Sequence, residues 1–152
     1  MIDLRFSTAL QLMLSLALAE NQGIARLSSG DLADGLGVAS SFVRKLMMPL
    51  TRDALLVSSM GKHGGVSLGR PAAVITLAEI YRCVTEEKRL MQSRPDIPHR
   101  CVVSNNIEVF FEQIADEASD AVLEVLGRRT LADSLAQLRR IDAGPAPAVK
   151  RE

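Results

Sequence analysis

The chain has 152 residues, 47% hydrophobic and 24% charged, enough for one domain or a small domain with an arm, and too apolar for a disordered protein. Aromatic residues make up only 3%, so any core is aliphatic, and its Leu, Ala and Val content favours helices. Eighteen basic and eighteen acidic residues cancel, which excludes a polybasic or polyacidic chain and leaves charge to be read from its distribution.

Residues 8–20 are dense in Leu and Ala and predict a buried or amphipathic helix, ended by Asn21-Gln22-Gly23 with Gly23 as a left-handed cap. The apolar run 9–19 is too short to span a bilayer and lacks the basic start and cleavage site of a signal peptide. A cytoplasmic protein with no membrane partner is expected. Ser28-Ser29-Gly30-Asp31 has capping-box form and opens a short helix with Leu32, Ala33 and Leu36, stopped by Gly37. Ser40 begins another helix, with Val43, Leu46, Met47 and Leu50 inward. Pro49 lies inside it, lacks a backbone donor, and predicts a kink or early stop near Met48. Two extended runs, 55–58 and 66–68, flank the glycine-rich residues 61–65 and predict a hairpin.

Thr76-Leu77-Ala78-Glu79 is a second capping box, with Leu77, Ile80, Tyr81 and Val84 at core spacing. Residues 86–100, with Pro95 and Pro98, have no periodicity and predict a connection. The longest helix is expected over 105–126, where Ile107, Phe110, Phe111, Ile114, Ala118, Ala121, Val122, Val125 and Leu126 trace an apolar stripe. That stripe is broader than a small domain can cover, so its Ile107, Phe110, Phe111, Ile114, Ala118, Ala121 and Val125 are the expected dimer interface. Thr130-Leu131-Ala132-Asp133 is a third capping box, starting a short helix to about residue 140. The expected fold is mainly α with a small β-hairpin wing: a winged helix-turn-helix plus a long C-terminal dimerisation helix. The expected division is an N-terminal domain over 1–86, a connection over 87–104, the dimerisation helix and final short helix over 105–140, and a disordered tail over 141–152.

The segment from Leu32 to Leu46 carries the functional reading. Two helices crossing steeply need a small residue at closest approach, supplied by Ala33, and a turn residue that tolerates positive φ, supplied by Gly37. Leu32, Leu36, Val38, Val43 and Leu46 fill the angle between them. This resembles the helix-turn-helix of DNA-binding proteins, whose second helix lies in the major groove. The core positions leave Ser40, Ser41, Arg44 and Lys45 outward. Arg44 suits a guanine edge, or else is a solvated charge; Ser40 is a DNA contact or only an N-cap.

Gly61-Lys62-His63-Gly64-Gly65 is not a phosphate loop, because a second strand rather than a helix follows. After a helix-turn-helix it reads as a wing, with Lys62, His63 and Gly64 near phosphates; a solvated turn is the alternative. Between Val38 and Ile75 five basic residues face only Asp53, a local net charge of +4, whereas the chain from Thr76 onward carries −2.

Together with Ile75-Thr76-Leu77 and Thr130-Leu131-Ala132-Asp133, this order resembles the Rrf family of bacterial regulators, with IscR-, NsrR- and CymR-like members, over about residues 4–138. The resemblance implies a homodimer with crossed long helices and a roughly palindromic double-stranded DNA operator. The family wing usually carries Arg and Tyr where this chain has Met60 and Val66. Iron–sulfur members carry three closely spaced cysteines before the long helix, where this chain has Cys101 alone. That pattern is closer to the cluster-free HypR- or YwnA-like branch, so neither a metal nor another cofactor is expected. His99 beside Cys101 does not complete a site. Cys83 is expected to pack in the core, and Cys101 to be either a redox sensor or the filling of a small apolar site before Val102 and Val103.

No Gly-x-Ser-x-Gly or His-Glu-x-x-His is present, and the acidic residues of the long helix read as its solvated face rather than a catalytic pair, so an enzyme is not expected. The expected function is a sequence-specific DNA-binding repressor, thiol- or ligand-responsive through an effector the sequence does not name. The alternative is a winged-helix protein-interaction module that has lost DNA binding.

Overall fold

Helix α1, Arg5–Asn21, buries Ala9, Leu12, Met13, Leu16 and Ala17, the spacing of one helical face. A computed structural model describes residues 3–86 and 89–145 of the protein. Helix α2, Ser29–Leu36, starts on the expected reciprocal cap: Ser28 Oγ accepts from the Asp31 amide at 3.0 Å, and the Asp31 carboxylate accepts from the Ser28 amide at 3.2 Å. Gly37 adopts a left-handed φ of 67°, turning the chain toward helix α3, Ser40–Arg52. Ala33 is buried.

Pro49 does not stop α3 near Met48; the helix continues to Arg52. The one bond the proline cannot make would run to the carbonyl of Lys45, an exposed residue whose backbone can take water instead. Leu46 and Leu50 bracket the proline and are both buried. At roughly 1.5–3 kcal/mol each, their burial outweighs an interior proline's cost of about 3 kcal/mol. Ala39, not Ser40, occupies the N-cap position, so Ser40 is the first helical residue and caps nothing.

Strands β1, Leu56–Ser59, and β2, Gly65–Leu68, form the antiparallel hairpin, with Leu56 opposite Leu68 and Ser58 opposite Val66. Leu27 joins it by two hydrogen bonds with Val66, of 3.0 and 2.7 Å, which tie the hairpin to the segment before α2. A 3₁₀ turn, Ala72–Val74, leads to helix α4, Leu77–Thr85, whose Thr76–Glu79 capping box is present in both directions. The Phe6 and Tyr81 rings meet edge to face at 5.3 Å, joining α1 to α4.

Helix α5, Val102–Gly127, begins three residues earlier than the apolar stripe predicts. Ser104 Oγ accepts from the amides of Cys101 (2.9 Å) and Arg100 (2.8 Å), so Cys101-x-x-Ser104 acts as a start signal. Helix α6, Leu131–Asp142, has a one-sided cap, Thr130 Oγ1 accepting from the Asp133 amide, rather than the expected reciprocal box. The last helix also differs in its allegiance. Leu131 is fully buried in the core with α1 and α4, and its amide donates to the Ile75 carbonyl at 2.9 Å, so α6 packs on the N-terminal unit rather than accompanying α5. Of the tail expected to be disordered, residues 141 and 142 are helical, and 146–152 lie outside the described residues.

Candidate nucleic-acid interface

The reading face of α3 is set by its buried side. Val43, Leu46 and Leu50 are buried on the side of α3 that meets α2, α4 and β1, and this phase leaves Ser41, Arg44 and Lys45 exposed and Ser40 half-buried. Because Ser40 is free of capping duty, its hydroxyl is available at the N-terminal end of the helix.

The wing is braced from the far side of the sequence. Arg26 Nη1 donates to the His63 carbonyl at 3.1 Å, and the Gly64 amide donates to the Gly61 carbonyl at 2.9 Å. A Cβ on Gly64 would collide with the carbonyl of Ser59, so glycine here is a close-packing requirement. Lys62 and His63 are exposed at the tip, while Gly64 is half-buried beneath them. No local pattern in the sequence marks Arg26; its role arises from a contact 37 residues away.

The five basic residues of the +4 stretch fall into two groups. Arg52 pairs with the adjacent Asp53 at 3.1 Å and Arg70 with Glu79 at 2.8 Å, so each has a carboxylate beside it. Burial pushes the Glu79 carboxyl up, but the Thr76 amide and Arg70 outweigh it and hold the group below its ordinary value. Among the described residues Arg44, Lys45 and Lys62 form no ion pair, and all three are exposed on the recognition helix and wing. An open groove of about 490 Å³, lined by Arg44, Met47, Met48, Thr51, Arg52 and Ser58, separates these two elements.

Helix α5 buries only Ala115. Ala115 lies outside the predicted stripe; within the stripe Leu126 packs on the core, Phe110 is 58%, Ile114 42% and Val125 52% exposed, Ala121 is exposed, and Ile107, Phe111, Ala118 and Val122 are half-buried.

The two thiols differ. Cys83 is buried in the core, as expected, and burial followed by the nearby Asp53 carboxylate pushes its thiol up to about 12. Cys101 is exposed, and so are Val102 and Val103, so among the described residues no small apolar site receives it. Its thiol is held below the ordinary value by the Ser104 amide first, then the Ser104 hydroxyl and the Val103 amide. The cause is the helix start, not Arg100 or His99, the neighbours the sequence singles out.

A family model named Rrf2 and described as "Iron-dependent Transcriptional regulator" matches residues 2–137. Protein aau3 of Rhizobium meliloti is 37% identical over 79 residues, 52% of this chain and 49% of that protein, so the match spans about half its length. The HTH-type transcriptional regulator NsrR of Oceanobacillus iheyensis is 25% identical over 125 residues, 82% of each chain. The oxidized form of CymR from Staphylococcus aureus superposes with a TM-score of 0.64 at 27% identity, covering 89% of this chain and 95% of that one.

The residues present do not fit the iron named in the family description. The whole chain has two cysteines, one buried with its thiol pushed toward the protonated form. Among the described residues no three His, Cys, Asp or Glu side chains gather where they could hold a metal ion. Among those residues, too, no helix is long and apolar enough to cross a membrane.

Proposed function

Because the chain belongs to the Rrf2 family of transcriptional regulators, we propose that it binds a roughly palindromic operator as a homodimer, acting in the cytosol as a repressor. Its relatives are regulators, not enzymes. The carrying observation is the division of the basic stretch: Arg52 and Arg70 each pair with a carboxylate, whereas among the described residues Arg44, Lys45 and Lys62 stand exposed without an ion pair on helix α3 and the wing. In this reading residues 1–86 are the DNA-binding unit, with Ser40, Ser41 and Arg44 at base edges and Lys45, Lys62, His63 and Gly64 near phosphates. Three free cations per subunit, doubled in a dimer, give an expected log–log salt slope of up to about −5 on duplex DNA. A titration of binding to random duplex from 50 to 300 mM salt, concentrations chosen on the order of the physiological range, measures it. A flat response would favour the protein-interaction module instead, a reading supported by the exposed Met48 and Met60 on this face.

Regulation in this proposal is iron-free and runs through Cys101. Its exposed, acidified thiol stands at the joint between the 89–101 connection and α5, and the similar CymR has an oxidized form. A peroxide would oxidise the Cys101 thiolate to a sulfenic acid, its distal oxygen leaving as water. A second Cys101 thiol would then displace water to form a disulfide between subunits, changing the spacing of the two reading heads. Mild peroxide treatment, followed by mass mapping and operator binding, is expected to show Cys101 modified, Cys83 reduced and affinity altered. Cys101→Ser should be indifferent to peroxide; if it responds as the parent does, the signal enters elsewhere.

A further inference from the structure

We propose that Met60 is an apolar wedge that enters the DNA minor groove at the wing tip and makes the protein select a deformable base step. The proposal rests on the DNA-binding reading above. Met60 is 99% exposed, the most exposed large hydrophobic residue among those described. Exposure on a loose loop would mean little, since single surface hydrophobics are common. This loop is held. Arg26 clamps the His63 carbonyl, Gly61 φ is 98°, and a side chain on Gly64 would run into the backbone of Ser59, Gly61 and Met60. The tip backbone is therefore held, and the flexible thioether extends from a fixed root.

Its surroundings specify the partner. Lys62, two residues on, is exposed and unpaired, which provides for a phosphate beside the methionine. Ser58 lines the groove against α3, and Met60 directly follows the end of β1, at the start of the wing tip beyond that groove. An unbranched thioether makes no strong hydrogen bond, so it reads no base edge. It packs between partly unstacked bases, the use made of Met, Leu, Ile and Phe in minor-groove proteins. The preferred step is then the one that opens most cheaply, TA or CA/TG.

The test uses the full chain and a duplex that it selects from a random pool, with 2-aminopurine moved step by step through one half-site. The parent is expected to raise fluorescence at one step, occupied by TA or CA in the selected sequences. Met60→Ala should lose that rise and bind the duplex roughly tenfold more weakly, within the cost of one lost site contact. Met60→Leu should keep both. Replacing the step by AA should weaken the parent and leave Met60→Ala unaffected. If the parent produces no rise at any step while Lys62→Ala still weakens salt-dependent binding, the wing contacts phosphates alone and the wedge is wrong. The wedge is equally wrong if Met60→Ala keeps the fluorescence and the affinity. A parent that selects no duplex defeats the DNA reading itself, and the wedge with it.

Discussion

Ile114→Glu is expected to convert the protein to a monomer and to weaken operator binding by about 10²–10⁴-fold, the range lost when two linked heads no longer bind together. The outward side of α5 carries Phe110, Ile114 and Val125, each between 42% and 58% exposed, on a helix that buries a single residue. Each large side chain left in water forfeits roughly 1.5–3 kcal/mol. A twofold partner recovers that loss along a helix of 26 residues, about 39 Å long. An isologous interface also meets the substituted residue twice, so two carboxylates are desolvated in the same apolar seam. Ile114 lies outside the core cluster, so each subunit should stay folded, its melting temperature falling only by what the partner supplied and losing its dependence on concentration. Sedimentation equilibrium at micromolar concentration separates the outcomes: a monomeric parent, or a dimeric Ile114→Glu, sinks the assignment.

What the sequence makes legible here is local chemistry. Ser28–Asp31 and Thr76–Glu79 cap their helices as their spacing predicts, and Gly37 takes the left-handed turn between α2 and α3, because each involves atoms within a few residues. The phase that exposes Ser41, Arg44 and Lys45 follows equally directly from Val43, Leu46 and Leu50. Pro49 misleads because its cost is local while the compensation, burial of Leu46 and Leu50 against other helices, is not. The early start of α5 is hidden because cysteine is not a usual cap, and it is Ser104 that accepts the amides. Three features of the site are invisible to any local pattern: the Arg26 brace of the wing, the pairing of Arg70 with Glu79, and the packing of α6 on α1. Each joins residues brought together only by the finished fold. The second of them matters most for function, since it is what divides structural cations from available ones.

That division predicts different behaviour from Arg44 and Lys62. Arg44→Ala is expected to weaken operator binding by about 1–3 kcal/mol, close to 5- to 150-fold, and to relax base preference at one position in each half-site. Alanine is the best helix former and Arg44 has no ion-pair partner to abandon, so the loss is of DNA contact rather than of α3. Lys62→Ala removes a point charge that touches phosphate, so it should weaken operator and random duplex alike and reduce the salt slope by about 1 per subunit. Arg52→Ala, by contrast, removes a cation already neutralised by Asp53 and should leave the slope closer to the parent's. Measuring all three variants on operator and random duplex at two salt concentrations yields a matrix in which specificity and charge are read separately. If Arg44→Ala keeps full base preference and Lys62→Ala keeps the full salt slope, the recognition helix and wing are not the DNA-reading surface. The exposed methionines of that face would then belong to a protein interface.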